Sequence, residues 1–389
     1  MSEAVDTKDL SLWEALPEGE RDRESGAAPA LSYRQDVRQR FMRNKLALVS
    51  LVIIALLILA AVFGPLVSRH SYDEQNLDRT NIAYGYSVAR VAEGKYVFLN
   101  RDLRVYATDE RGHILAPLEA GDDDVVEKRT AYDYEGVAFS VSYAERPAVI
   151  LDSGGARIAA RGVHNPDNFL GTDSLGRDLL VRLLYGARIS LAVAFIATLV
   201  NFLIGVLYGG ISGSVGGAVD NAMMRAVDII KTIPLTLYVI LIMVVLNSGF
   251  LSIIIALGSV YWVDMARIVR GSVLSVREEE FVLAAKTIGT SPRKILTKHL
   301  LPNVMGSIIV TATMMIPQAI FIEAFLSFIG LGVSAPMSSW GTLCNDALET
   351  IRSYPYQLFL PAGAICVTMF AFNFLGDGLR DALDPRQRS

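Results

Sequence analysis

The run Leu46–Val67, LALVSLVIIALLILAAVFGPLV, contains no charged residue. A bilayer core of about 30 Å takes about 20 apolar residues in helical form. A backbone crossing lipid must satisfy its own hydrogen bonds, so such a run is restricted to a helix. Five further apolar runs lie near Ala187–Ile211, Ala226–Leu246, Phe250–Ile268, Val304–Ile329 and Gln357–Leu375. The expected fold is an all-α polytopic membrane protein of about six transmembrane helices. The third run is the weakest, because Asp228, Lys231 and Pro234 shorten its apolar core.

Orientation follows from Lys and Arg in short flanks. Arg34, Arg38, Arg40, Arg43 and Lys45 precede the first run and place the N-terminus in the cytoplasm. Six crossings return the C-terminus to the same side, where Arg380, Arg386 and Arg388 agree. The segment between the fourth and fifth runs is cytoplasmic by the same count and carries Arg267, Arg270, Arg277, Lys286, Arg293, Lys294 and Lys298. Arg177, Arg182 and Arg188 fall outside and disagree, although long loops obey the rule poorly. Tyr33, Val37 and Phe41 recur at helical spacing opposite Arg34, Gln35 and Arg38. This pattern suits a short amphipathic helix on the inner membrane surface, or an ordinary basic flank.

Residues 1–30 are rich in Glu, Asp, Arg, Gly and Pro and read as a flexible cytoplasmic tail, solvated rather than docked through Trp13 and Leu16. Residues 31–67 hold the amphipathic helix and first span, and 68–170 form an insertion. A membrane core spans 171–377 and includes a cytoplasmic loop at 278–303; 378–389 is a C-terminal tail. Within the insertion, YSVARV, KYVFLN, LRVYAT, VAFSVSY and PAVILD alternate in polarity between turn signals, which predicts a small β-rich extracytoplasmic domain. Asp122-Asp123-Asp124 lacks the spacing of a calcium loop and reads as a solvated acidic turn.

The sequence contains no G-x-x-x-x-G-K-[ST] phosphate loop and no G-x-S-x-G elbow. Its four histidines are scattered without metal-ligand spacing, and its two cysteines, Cys344 and Cys366, read as free thiols. Nothing supports catalysis or a metal site, and the formal net charge of −4 gives no reason to expect nucleic acid. The spans are poor in charge, with Glu323 the clearest intramembrane acid, whereas an ion-coupled carrier would place more such groups inward.

Residues 278–303, EEEFVLAAKTIGTSPRKILTKHLLPN, interrupt this apolar architecture. Phe281, Ala284, Ala285 and Ile288 fall at i, i+3, i+4 and i+7, one face of a short helix. Glu278, Glu279 and Glu280 suit its first turn, and Gly289 ends it. Ser291 and Pro292 suit the cap and first position of a second helix, with Ile295, Leu296, His299 and Leu300 near one face. Leu301-Pro302-Asn303 is expected to stop that helix and begin the fifth span. Two readings stand on physics alone: a helix pair that enters a groove of a partner protein, or a hairpin packed only on its own spans.

The stretch is similar to the EAA loop of permease subunits of ABC importers, whose pattern is E-A-A, three residues, Gly, nine residues, Ile-x-Leu-Pro. Leu283-Ala284-Ala285, Gly289 and Leu301-Pro302 occupy the pattern, with Leu283 replacing the acid and His299 the isoleucine. FLGTDSLGRDLLVRLLYGARISL at 169–191, IEAFLSFIGLGV at 322–333, PMSSWG at 336–341 and NFLGDGLRDALDPR at 373–386 resemble further hallmarks of the dipeptide/oligopeptide/nickel permease family, and fit the second permease subunit of its pair. The resemblance covers most of 31–386 except the insertion, which is longer than usual.

That resemblance implies a chain in the inner (plasma) membrane with both termini cytoplasmic. It implies a pathway shared with a second permease subunit, two ATP-binding subunits beneath, and an extracytoplasmic substrate-binding protein delivering peptide. ATP and Mg would be bound by the ATPase partners and no cofactor by this chain. The ATPase-coupling residues would be Glu279, Glu280, Phe281, Leu283, Ala284, Ala285, Gly289, Ser291, Pro292, His299, Leu301 and Pro302. Met314, Met315, Gln318 and Glu323 would face the pathway, with the alternatives of packing for the methionines and of pairing with another span for Glu323. The rival classes are a single-chain secondary carrier, for which no internal repeat is visible, and a membrane-anchored receptor whose outer domain binds ligand.

Overall fold

The computed structural model describes residues 32–68 and 70–383. The expectations for the 1–30 tail, for Arg386 and Arg388 and for the Asp384-Pro385-Arg386 end lie outside the described residues. Helix α1, Tyr33–Arg43, is followed by α2, Lys45–Val67, with Asn44 between them. Asn44 Oδ1 accepts the Ala47 N–H at 3.1 Å and caps α2. Helix α2 turns Ala47, Ser50, Ile54 and Ala61 inward and leaves Leu46, Val49, Val52, Leu56 and Leu59 exposed, as a helix at the lipid boundary of a bundle would.

Helix α3, Leu179–Val215, is the central element, capped by Asp178 Oδ1 on the Val181 N–H at 2.9 Å. It is much longer than the Ala187–Ile211 run, because its first two turns carry the polar clamp described below. The third span is not one straight helix. Helix α4, Gly217–Thr232, and α5, Leu235–Leu246, meet at a 78° bend. The break falls at Ile233-Pro234: proline has no N–H to donate, and its ring pushes the preceding residue out of the helical region. The remaining elements are α6, Phe250–Val260; α7, Trp262–Arg277; α8, Glu280–Thr287; α9, Pro292–Lys294, which continues through a π-helical turn Ile295–Leu300; α10, Leu301–Phe328; α11, Trp340–Asp346; and α12, Tyr356–Leu383. Among the described residues five helices are long and apolar enough to cross a membrane, six if the bent pair counts as one. Helix α12 runs to Leu383, so the boundary expected at 377 falls inside a helix.

Gly205, Gly209 and Gly213 form a stripe on α3 that admits α7. A Cβ on Gly209 would stand 2.2 Å from the Ala266 carbonyl oxygen, and one on Gly213 3.0 Å from that of Arg270. Apolar burial gives little net drive between helices in lipid, so close backbone approach and van der Waals contact hold such a pair. The same two helices are tied to α4 by charge: Arg270 is bidentate to Asp220 at 2.6 Å for each bond, and Asp220 also accepts from Ser212. Arg267–Asp228 and Lys231–Asp264 continue the ladder antiparallel to it. Half-buried Val37 and Phe41 lie on α1, which packs against α12.

Among the described residues the segment between α2 and α3 forms nine strands in two antiparallel sheets. The first sheet orders them β4-β3-β2-β1-β9, from β1 (Gly85–Ala92), β2 (Lys95–Leu99), β3 (Val105–Thr108), β4 (Ile114–Leu118) and β9 (Ala160–His164). The second is β5-β6-β7-β8, from Asp123–Asp124, Arg129–Tyr134, Val137–Ser142 and Val149–Leu151. Ala89, Val97 and Val105 of the first sheet pack against Tyr132, Phe139, Val141 and Ile150 of the second. The five alternating segments fall on β1, β2, β3, β7 and β8. The acidic run expected as a turn instead supplies the short exposed strand β5 at Asp123–Asp124, paired with Thr130 and Arg129, and the turn follows it, with Asp124 Oδ1 accepting the Val126 and Glu127 N–H groups.

Candidate functional site

Between α7 and α10 the chain makes a two-part helical hairpin. Helix α8 begins after Glu279 and ends in a Schellman motif: the Gly289 N–H donates to Lys286 O and the Thr290 N–H to Ala285 O, both at 3.0 Å. Gly289 sits at φ +78°, the left-handed region that glycine enters without steric penalty. A Cβ there would meet nothing within 4 Å. The constraint on this position is therefore one of backbone conformation and not of space. Ser291 then adopts an extended conformation and Pro292 opens the next helix, with the Ile295 N–H donating to Ser291 O at 3.0 Å. Glu278 lies outside α8, at the end of α7.

The expected stop at Leu301-Pro302-Asn303 does not occur: helix runs from Pro292 to Phe328. The turn before the proline is widened, with the Leu301 N–H reaching back to Leu296 O. A prolyl ring clashes with the carbonyl four residues earlier, and a π turn makes room for it. Asn303 Nδ2 donates to His299 O at 2.6 Å and replaces part of the lost backbone bonding. The second hairpin helix is thereby continuous with the fifth span.

The hairpin has two apolar faces. Val282, Ile295 and Leu300 point inward, at 0%, 7% and 1% exposure, and join Val206, Met265, Val269, Val273, Val304 and Ile308 of α3, α7 and α10 in one core, and Ala285 is buried at 5% exposure. Phe281, Leu283 and Ile288 stand outward at 43%, 44% and 81% exposure, with Ala284 exposed beside them. The face expected from helical spacing is thus divided: Ala285 packs inward with Val282, while Phe281, Ala284 and Ile288 remain outside. Glu279, Glu280, Gly289, Ser291 and Pro292 are exposed, His299 and Leu301 half-buried, and Pro302 exposed at the root of the span.

The four expected pathway residues separate. Met314 and Gln318 line a recess of about 450 Å³ with Tyr261, Pro317, Phe321, Ile322, Met369 and Asn373. Met315 packs into the core that also holds the hairpin's inner face. Glu323 is fully buried and pairs with no cation among the described residues; it accepts hydrogen bonds from Ser190 Oγ at 2.8 Å and Ser327 Oγ at 2.7 Å. Ser339 Oγ reaches Ser327 Oγ at 3.1 Å, and Ser190 Oγ accepts the Trp340 N–H at 3.2 Å. This hydroxyl cage joins α3, α10 and α11, so Glu323 lies neither in the recess nor in an ion pair with another span.

The arginines that disagreed with the orientation count are also committed within the fold. Arg177 and Arg182 bond Asp173 Oδ2 at 2.7 and 2.6 Å, and both reach Asp346 on α11. Arg188 donates to the Ala61 and Val62 carbonyls at 3.1 and 2.9 Å; the Ala61 carbonyl is the one that Pro65, which has no N–H, leaves without a helical donor. Sequence reading missed this clamp. Its signal was the pair of acids, Asp173 and Asp178, set among arginines just ahead of a span.

Residues 203–389 match the family model described as binding-protein-dependent transport system inner membrane component. Residues 32–84 match the N-terminal TM domain of oligopeptide transport permease C. The oligopeptide transport system permease protein OppC of Bacillus subtilis is 40% identical over 97% of this chain and 98% of its own length. The dipeptide transport system permease protein DppC of the same organism is 40% identical over 95% and 91%. OppC of Escherichia coli is 37% identical over 91% of each chain. The chain belongs to this family of ABC importer permease subunits. As a permease it has no ATPase site of its own and is not an enzyme.

Proposed function

We propose that this permease forms half of a peptide pathway across the inner membrane and is driven from the cytoplasm by separate ATP-binding subunits that grip its hairpin. The observation that carries this reading is the division of α8 into two faces. One is fused to α3, α7 and α10, and the other, Phe281, Leu283, Ala284 and Ile288, is apolar and exposed. An exposed apolar knob on a rigid lever suits a partner's groove. Because α9 is continuous with α10, displacement of the knob passes into the span that lines the recess at Met314 and Gln318.

In this reading both termini are cytoplasmic, the 68–170 insertion lies outside, and a second permease subunit closes the other half of the pathway. Two ATPase subunits bind ATP and Mg, and a binding protein delivers di- or oligopeptides, the cargo named for the relatives. Purification with the ATP-binding subunits tests it: they co-purify with the wild-type chain, and a Phe281→Ala/Ile288→Ser chain that still folds loses them. Peptide movement into vesicles by this chain with no ATPase subunit present overturns it in favour of a secondary carrier.

A further inference from the structure

We propose that the cleft between the two sheets of the insertion is a binding site for a short extended peptide with a free carboxylate. The cleft holds about 700 Å³, within the range of small-ligand sites, and is bounded by β1, β2, the strand β8 and the segment 157–160. Its floor is apolar, with Ala89, Phe98, Val149, Ile150 and Ile158.

Three observations select an anionic, hydrogen-bonding ligand. The charged residues lining the cleft are Arg101 and Arg157, both cationic, within a segment whose sequence is net acidic. Both are exposed, and neither makes an ion pair among the described residues. Guanidinium groups bond carboxylates with two parallel donors, so a free carboxylate is the complementary group. Asn100 also lines the cleft and is 5% exposed. Its Oδ1 already accepts the Asp102 and Arg104 N–H groups at 3.0 and 2.8 Å, which fixes the orientation of its amide. The Asn100 Nδ2 has no hydrogen-bond partner among the described residues, and a buried amide left so favours a ligand carbonyl.

The cleft also touches the membrane core. Tyr354, in the loop before α12, closes one end beneath the Arg101 guanidinium at 5.9 Å, and Arg101 donates to Ser353 O. Gln357 at the start of α12 donates to Asn81 Oδ1 at 3.2 Å, and Asn81 is a further wall of the cleft. An occupant held here would lie against the base of α12. The proposal rests on the reading that the insertion faces the side from which peptide arrives.

The test is calorimetric titration of the full chain, held in lipid nanodiscs, with tetra-alanine and with its C-terminal amide. Saturable binding of the free acid is expected, with the amide about tenfold weaker, the scale of a charge-assisted pair. Arg157→Gln is expected to remove most of that difference and Arg101→Gln/Arg157→Gln all of it. Both positions are exposed, and far-UV circular dichroism with co-purification of the ATP-binding subunits confirms the fold. Equal affinity for acid and amide, unchanged binding by the double variant, or no saturable binding overturns the proposal. None of these results touches the hairpin's engagement by ATP-binding subunits, so failure here is separable from failure of the transport reading.

Discussion

The two faces of α8 use similar apolar side chains for opposite ends. Val282 is sealed in a core shared with three membrane helices and Ala285 is buried, whereas Phe281, Leu283 and Ile288 stand in the open. The inner face joins the hairpin to the bundle and sets stability; the outer face contributes little to the chain alone. The comparison teaches that apolar character does not distinguish a core residue from a docking residue on a small helix. Which stripe meets its own chain does.

Substitutions can break that contrast in graded steps. Leu300→Asp should have the largest effect, because it places an unpaired carboxylate in the sealed core. A loss of several kcal/mol is expected, with a large fall in detergent-solution melting temperature and no recoverable complex. Gly289→Val should come next. It forces a β-branched residue into the left-handed region at a cost of about 1–2 kcal/mol, with no clash to relieve. Gly289→Asn should recover most of the loss, since asparagine tolerates that region. ATP hydrolysis per peptide imported should rise for valine and stay near wild type for asparagine. Valine behaving as asparagine would show that the bend does not set the lever.

Smaller effects sharpen the outer face. Ile288→Ser should change chain stability by under about 0.5 kcal/mol, as for other exposed positions, yet lower affinity for the ATP-binding subunits severalfold. Equal loss of stability and affinity would erase the distinction between faces. Asp228→Lys, which breaks one exposed rung of the α4–α7 ladder, should cost under about 1 kcal/mol of stability and leave affinity for the ATP-binding subunits unchanged. The swap Asp228→Lys/Arg267→Asp should restore it.

Much of this architecture was legible beforehand. Long apolar runs marked the spans, and Gly289 with Ser291-Pro292 marked the bend, because those residues act through local backbone physics. What escaped notice depended on contacts or on irregular helix. The inward stripe at Val282 was hidden because both sides of α8 are apolar, and helical spacing alone does not say which side meets α3. The continuity through Pro302 was hidden because a π turn absorbs a proline that an ordinary turn would reject. Strands β4, β5, β6 and β9 were missed because their alternation is interrupted or polar, as in the acidic β5 and in RTAYDY, and their register comes from pairing partners rather than from local pattern. The serine cage around Glu323 was hidden because it assembles from α3, α10 and α11, which no local pattern reveals.

The most direct test of the hairpin as the gripped element is site-specific photo-crosslinking in the intact transporter, from position 288 and from position 282. Adducts between position 288 and an ATP-binding subunit, with adducts from position 282 confined to this chain, are the predicted result. Absence of an ATPase adduct at 288, or its labelling by an impermeant reagent from outside the cell, would contradict the account.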